Sequence, residues 1–175
     1  MREQIEKVLR TIGCFLLDMD GTIYLGDQLI DGTHEFLQAA KEKGYKVLFL
    51  TNNSSKNGAA YLKKLAKMGI EANAEDVLTS GQAAAETILQ CYPGKKVWVM
   101  GNTLLKEEME QWGVPMTEKD PDLVLTAFDT ELTYQKLWDC CNYVRAGLPY
   151  LATHPDFNCP TETGFMPDLG AMTEL

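Results

Sequence analysis

The sequence predicts an α/β fold built on a parallel sheet, and two observations carry that prediction. Short apolar runs stop abruptly in polar turns, and amphipathic helical stretches lie between one run and the next. Strands that alternate with helices pair in parallel, and ligands of such sheets gather outside the carboxyl ends of the strands. The most polar clusters of the chain fall at those ends.

The first run is Phe15-Leu16-Leu17, which passes directly into Asp18-Met19-Asp20-Gly21-Thr22. Along an extended chain the side chains at i and i+2 point the same way, so Asp18 and Asp20 share one side while Met19 faces the other. On its own the segment reads equally well as a strand and an Asp-Gly turn with two solvated acids. Residues 32 to 44 follow, with Phe36, Leu37 and Ala40 at helical spacing and a Lys-Glu-Lys-Gly stop. The second run, Lys46-Val47-Leu48-Phe49-Leu50, ends in Thr51-Asn52-Asn53-Ser54-Ser55, where a helix is expected to begin. A helix start offers free N–H groups to an anion, although an ordinary capped turn reads from the same residues.

Together the two junctions describe phosphoryl chemistry. An ionised Asp18 can attack phosphorus and form an aspartyl-phosphate, which splits one hard displacement into two easier ones. Asp20 needs a raised pKa to protonate the leaving oxygen and then deprotonate a water, and the like charge of Asp18 with partial burial would raise it. Thr51 would bind a phosphoryl oxygen through its hydroxyl, beside the N–H of Asn52, with Gly21 and Asn53 completing the phosphate-binding set. Mg²⁺ commonly takes one or two carboxylates together with substrate oxygens, which makes Asp18 a candidate ligand.

These residues also resemble a known family. Asp18-Met19-Asp20-Gly21-Thr22 is similar to the first motif of the haloacid dehalogenase superfamily, and Leu50-Thr51-Asn52-Asn53-Ser54 to its second. Ile23-Tyr24-Leu25-Gly26 and Ala152-Thr153-His154-Pro155-Asp156 resemble its NagD-like, para-nitrophenylphosphatase branch with a class IIA cap. The resemblance implies a Rossmann-like core with an inserted α/β cap, and a Mg²⁺-dependent phosphatase of small phosphorylated metabolites. Asp18 is then the nucleophile and Asp20 the acid/base, and the metal is held by the Asp18 side chain and the Asp20 backbone carbonyl. The same resemblance divides the chain into 1–80, the N-terminal part of the core, and 81–175, the cap. It also makes His154 and Asp156 candidate substrate contacts, with ordinary loop structure as the competing reading of both.

The family places a lysine and a later acidic motif after the cap, whereas the chain stops at Leu175 and none of its 16 lysines and arginines lies beyond Arg145. The expectation is an incomplete core with impaired catalysis, since Asp18 and a phosphate dianion would repel and Mg²⁺ would lose ligands. The alternative function is accordingly a phosphate-binding or interaction module of the same fold. Half a core would leave sheet edges and apolar faces open to self-association.

The rest of the chain reads as a second α/β unit. Gln82 to Cys91 is helical in pattern, Lys96 to Gly101 strand-like, Leu104 to Trp112 helical, Leu123 to Ala127 a strand, and Leu132 to Ala146 a helix before Tyr150-Leu151-Ala152. Ser80-Gly81 is the expected hinge. Trp98 and Trp112 sit in apolar patterns and are expected in the core. His34 is expected on a helix surface. No Walker lysine or Gly-x-Gly-x-x-Gly supports a nucleotide fold.

At 175 residues and 45% hydrophobic the chain can bury a sizeable core. A net charge of −9 disfavours nucleic acid as a partner. The charged first ten residues do not read as a signal peptide, and no stretch reads as a membrane span. Five cysteines without a Cys-x-x-Cys pair suit a reduced cytoplasmic setting. The apolar helices of the second unit and the family resemblance are compatible with a homodimer.

Overall fold

The computed structural model describes residues 2–175, and its backbone forms two parallel three-stranded sheets, each packed on an apolar cluster of its own. After a first helix, α1 (Arg2–Leu9), the chain enters β1 (Cys14–Asp18). A small hairpin, β2 (Tyr24–Leu25) and β3 (Gln28–Leu29), precedes α2 (Thr33–Glu42). Then come β4 (Lys46–Thr51), α3 (Gly58–Lys67), a single 3-10 turn (Ala74–Asp76) and β5 (Val77–Thr79). The strand order is β1-β4-β5, with Asp18 opposite Leu50 and Thr51 opposite Thr79. That register brings both polar junctions to one end of the sheet.

Alternation along the strands decides which side is buried. Phe49 and Val77 pack with Met19, Ile23, Tyr24, Tyr61, Leu65 and Ile70, a cluster to which α3 contributes Tyr61 and Leu65. The opposite side of the same strands carries Leu16 and Leu78, which are 63% and 45% exposed. At the far end, Phe15 meets Phe36 and Tyr45 edge-on, and the Tyr45 hydroxyl donates to the Leu9 carbonyl, which ties α1 to the sheet.

The second sheet is covered on both sides. Its elements are α4 (Ser80–Cys91), β6 (Val97–Met100), α5 (Thr103–Gln111), β7 (Leu123–Thr126), α6 (Tyr134–Arg145) and β8 (Tyr150–Ala152), with strand order β6-β7-β8. Every residue of β6 and β7 is buried, as expected for a parallel sheet between helices. Val97, Val99, Leu123 and Leu125 pack with Ala85, Ile88, Leu105 and Met109 on one face, while Trp98, Met100 and Val124 pack with Cys140 on the other. An antiparallel hairpin, β9 (Asn158–Thr161) and β10 (Gly164–Pro167), and the short helix α7 (Leu169–Thr173) complete the chain. Among the described residues no helix is long and apolar enough to cross a membrane.

Two expectations are corrected here. Trp98 is buried, but Trp112 is 42% exposed, because α5 ends at Gln111 and Trp112 is the capping residue beyond it. The apolar spacing runs one residue past the packed helix. Gly81, expected as a hinge, lies inside the first turn of α4, where an added Cβ would meet Glu108 Oε2 at 2.5 Å and Leu105 Cδ1 at 2.9 Å. Close packing, rather than backbone freedom, accounts for glycine there. His34 is exposed on α2, as expected.

Candidate active site

Asp18 closes β1 and is exposed, Met19 is fully buried on the opposite side, and Asp20 is half-buried. The turn beyond them is tightly wound: the N–H groups of Thr22, Ile23 and Tyr24 all donate to the Met19 carbonyl at 2.9 to 3.3 Å. Gly21 adopts φ +83°, a left-handed conformation that glycine tolerates, and its N–H donates to the Tyr24 carbonyl at 2.7 Å. Gly21 therefore shapes the turn, and its amide is engaged within it.

The second junction is also preorganised by its own hydrogen bonds. Thr51 is buried, its Oγ1 accepts from the Asn53 N–H at 3.2 Å, and its hydroxyl donates to Tyr61 Oη at 3.5 Å. The Tyr61 hydroxyl in turn donates to the Asn53 carbonyl at 3.2 Å. Asn53 Oδ1 accepts from both the N–H and the hydroxyl of Ser55, at 2.9 and 2.7 Å, folding the loop back on itself. The helix does not begin within residues 51–55. It starts at Gly58, after the capping residue Asn57, and its first donors go to Glu108 Oε1 and Asn57 Oδ1. Extra residues of polar loop, which also satisfy their own backbone, displace the helix start from the position that the sequence pattern indicated.

A third segment, after β8, reaches the same place. Asn52 Nδ2 donates to Asp156 Oδ2, and Ser54 Oγ is hydrogen-bonded to Thr153 Oγ1 at 2.9 Å. Gly170 holds this segment close: its N–H donates to the Asp156 carbonyl at 2.7 Å, and a Cβ there would meet the Pro155 carbonyl oxygen at 2.2 Å. His154 is buried, with Nδ1 3.1 Å from Thr153 Oγ1 and Nε2 2.8 Å from Asp168 Oδ1. Asp168 Oδ1 also accepts the Leu169 N–H at 2.7 Å as the capping group of α7. His154 thus braces Asp168 from behind.

These segments enclose a cavity of about 200 Å³ lined by Asp18, Asp20, Asn52, Asn53 and Asp156, with Asn158, Cys159 and Pro160 of β9 and Asp168 closing it. Thr51 lies beside it, in a neighbouring groove that Asp18 and Asn52 share. His154 and Gly21 line neither. A larger cavity, about 630 Å³, borders α2 and β4 and includes none of the predicted site residues, so chemistry and not volume selects the site.

Charge is concentrated here. Burial pushes the Asp20 carboxyl above its ordinary range; Lys64 and Lys56 oppose the shift, and Asp18 adds to it. Lys64 is itself pushed down, first by burial, with the charge of Asp20 acting the other way. Burial and then the charge of Asp20 push the Tyr24 hydroxyl up, and burial followed by Asp168 and Asp20 pushes up the Cys159 thiol. A cation is suited to such a site. The amides of the turn donate to the carbonyls of Met19 and Tyr24, and none of these bonds uses the Asp20 carbonyl. The Asp18 carboxylate and that carbonyl offer a small, hard, oxygen-only donor set, as Mg²⁺ prefers when water and substrate supply the remaining ligands. Among the described residues no group of three His, Cys, Asp or Glu side chains could hold a metal.

Sequence reasoning missed Lys64, Tyr24, Tyr61, Asn158 and Asp168. For Lys64 a signal existed, since it lies three residues after Tyr61 on α3 and so shares its buried side. For Asn158 and Asp168 nothing in the local pattern predicted the hairpin that carries them to the site.

A family model described as haloacid dehalogenase-like hydrolase matches residues 15–115. An acid sugar phosphatase of Staphylococcus aureus is 36% identical over 162 residues, which are 92% of this chain and 62% of that protein. The crystal structure of a 4-nitrophenylphosphatase from Thermotoga maritima superposes with a TM-score of 0.91 at 42% identity, covering 95% of this chain and 64% of that one. A glycerol phosphate phosphatase of Mycobacterium tuberculosis, solved in complex with magnesium, gives a TM-score of 0.85 at 31% identity over 93% of this chain and 50% of its own. The chain therefore spans 62% of the length of the acid sugar phosphatase it matches. With the motifs, the two-sheet α/β architecture and these matches in agreement, the chain belongs to the haloacid dehalogenase-like hydrolases, in the branch of the para-nitrophenylphosphatases.

Proposed function

We propose that this chain carries the nucleophile, the acid/base and the cap of a Mg²⁺-dependent phosphatase that hydrolyses small phosphomonoesters through an aspartyl-phosphate. The observation that carries the reading is the convergence of Asp18, Asp20, Asn52 and Asn53 with Asp156 on one cavity of about 200 Å³. In this reading residues 1–80 are the N-terminal part of the core and 81–175 the class IIA cap, and five free cysteines suit a reducing, cytoplasmic setting.

An Asp18 carboxylate oxygen attacks phosphorus while the bond to the leaving oxygen breaks, and Asp20 passes its proton to that oxygen. Water then gives a proton back to Asp20 and attacks phosphorus, releasing phosphate and the Asp18 carboxylate. The raised pKa of Asp20 suits a group that must hold a proton in one step and accept it in the next. Asn52 would donate to a phosphoryl oxygen once it parts from Asp156, and the Thr51 hydroxyl, from the neighbouring groove, once it parts from Tyr61. Mg²⁺, held by Asp18 and the Asp20 carbonyl, would neutralise the charge of the phosphoryl group.

The second reading, a phosphate-binding module with impaired catalysis, is favoured by the lack of a three-residue acidic metal cluster among the described residues. Hydrolysis of para-nitrophenyl phosphate by mass-verified chain separates the two. Activity that needs Mg²⁺, disappears with EDTA and is abolished in Asp18→Asn is the expected result. Phosphate binding without turnover supports the second reading instead.

A further inference from the structure

Asp20 has a partner that its own motif does not contain. Lys64, on α3, places Nζ 4.0 Å from Asp20 Oδ1, and the two side chains are only 15% and 30% exposed. The same Nζ lies 3.5 Å from the centroid of the Tyr24 ring. Tyr24 is fully buried, and its hydroxyl interacts with the Asp20 side chain. The neighbours of Lys64 on α3, Tyr61 and Leu65, are buried in the core, which sets Lys64 at the border of that core. The ammonium is thus shared between the ring and the carboxylate.

We propose that Lys64 is a positioning residue that keeps the Asp20 carboxylate aimed into the cavity, with the face of Tyr24 seating the ammonium. The proposal rests on the reading of Asp18 and Asp20 as nucleophile and acid/base. Those two carboxylates lie on one side of the chain, so each repels the other, and the side chain of Asp20 is free to swing away from the leaving group it must reach. A cation held at a fixed place beside it favours one direction of the side chain over the others. The 4.0 Å separation is longer than a hydrogen bond, so the ammonium sets the direction of the group without occupying a carboxylate oxygen through a hydrogen bond. An exposed lysine would hold nothing in this way, because its head would wander in solvent. The aromatic face, at cation–π distance, fixes it. Lys56 also brings positive charge toward Asp20, but its Nζ lies 6.0 Å from the Tyr61 ring and has no comparable seat.

The test reads the direction of Asp20 itself. In the isotopically labelled 175-residue chain, three-bond couplings from Asp20 Cγ to the backbone nitrogen and carbonyl carbon report whether χ1 occupies one rotamer. Wild-type chain and Lys56→Met are expected to show a single rotamer, Lys64→Met and Lys64→Gln rotamer averaging, and Lys64→Arg a return to one rotamer. In the kinetic arm Lys64→Met lowers kcat about tenfold or more with KM little changed, as for a group that acts in the transition state. A single Asp20 rotamer persisting in either uncharged variant, or averaging already present in the wild type, overturns the positioning role. Wild-type chain without Mg²⁺-dependent hydrolysis would overturn the phosphatase reading, while the couplings still decide what Lys64 does to Asp20.

Discussion

The Glu108 carboxylate, on α5 of the second sheet, accepts the N–H of Gly58, the first residue of α3, at 2.9 Å, and so ties the helix that follows the second motif to the other half of the chain. Its other oxygen accepts the Thr79 hydroxyl at 3.0 Å, at the end of β5. Glu108 is 3% exposed, and removing it would strand two donors and open a cavity. Glu108→Ala is expected to destabilise the chain by about 3 kcal/mol, read by urea unfolding. A loss within about 0.5 kcal/mol, the range of ordinary surface substitutions, would mean that water replaces the carboxylate without penalty.

The same residue gives a pH dependence with a definite sign. Burial raises the Glu108 pKa, partly offset by the Gly58 and Thr79 hydrogen bonds, so the folded chain holds this proton more tightly than the unfolded one. The stability it contributes is complete below the unfolded glutamate value of about 4.3 and is lost as pH rises through the higher folded value. Glu108→Gln does not titrate, so its stability relative to wild type should improve as pH rises across that window. Melts at matched pH values test this, and a difference that moves the other way argues against a buried, cation-free carboxylate.

Much of this arrangement was legible in the sequence because it depends on local rules. The alternation that puts Asp18 and Asp20 on one side and buries Met19 is a property of any extended chain, and the strand-helix order predicted both parallel sheets. What the sequence concealed depends on contacts between distant segments. Lys64 shares the buried side of α3 with Tyr61, but its partner Asp20 shows only once the turn is folded over it. His154 looks like a ligand until Asp168, 14 residues on, is found beside it. Gly81 reads as a hinge until Glu108 and Leu105 are found packed against its Cα, and the turn bond from Gly21 to Tyr24 is invisible in the local pattern.

Gly170 shows how narrow such a contact is. A methyl group at this position would approach the Pro155 carbonyl oxygen to 2.2 Å and the Asp156 carbonyl carbon and oxygen to 2.8 Å, all of them backbone atoms that cannot rotate away. Gly170→Ala should therefore cost about 1 to 3 kcal/mol by overpacking and should displace the 155–156 segment from Asn52. Thermal unfolding with amide chemical shifts of residues 52 and 156 would show both effects; unchanged shifts would count against the coupling.

Leu16 and Leu78 are 63% and 45% exposed on one side of the first sheet, where alternation places an apolar surface without a cover. Burying an exposed leucine is favourable by about 1.5 to 3 kcal/mol, enough to drive association between copies when several such residues meet. The double substitution Leu16→Lys with Leu78→Lys should lower the association constant of the chain at least about tenfold, since 1.4 kcal/mol corresponds to one decade. Sedimentation velocity over a concentration series reads this directly. Association of equal strength in the double variant would assign the contact to another surface.

Asp156 makes the sharpest distinction between a substrate contact and a gate. The family resemblance suggested the former, but its carboxylate accepts the Asn52 side-chain amide, the donor proposed to meet a phosphoryl oxygen. An anion entering the cavity must displace that carboxylate and tolerate its charge at close range. Asp156→Ala should therefore bind orthophosphate more tightly, by about threefold to tenfold if a pair worth roughly 1 kcal/mol is removed. Competitive inhibition by phosphate, or its titration followed by ³¹P NMR, measures the change, and Asn52→Ala should weaken binding in the same assay. If Asp156→Ala weakens phosphate binding instead, the carboxylate is supporting the Asn52 amide in its binding geometry, and Asp156 belongs to the recognition surface and not to its gate.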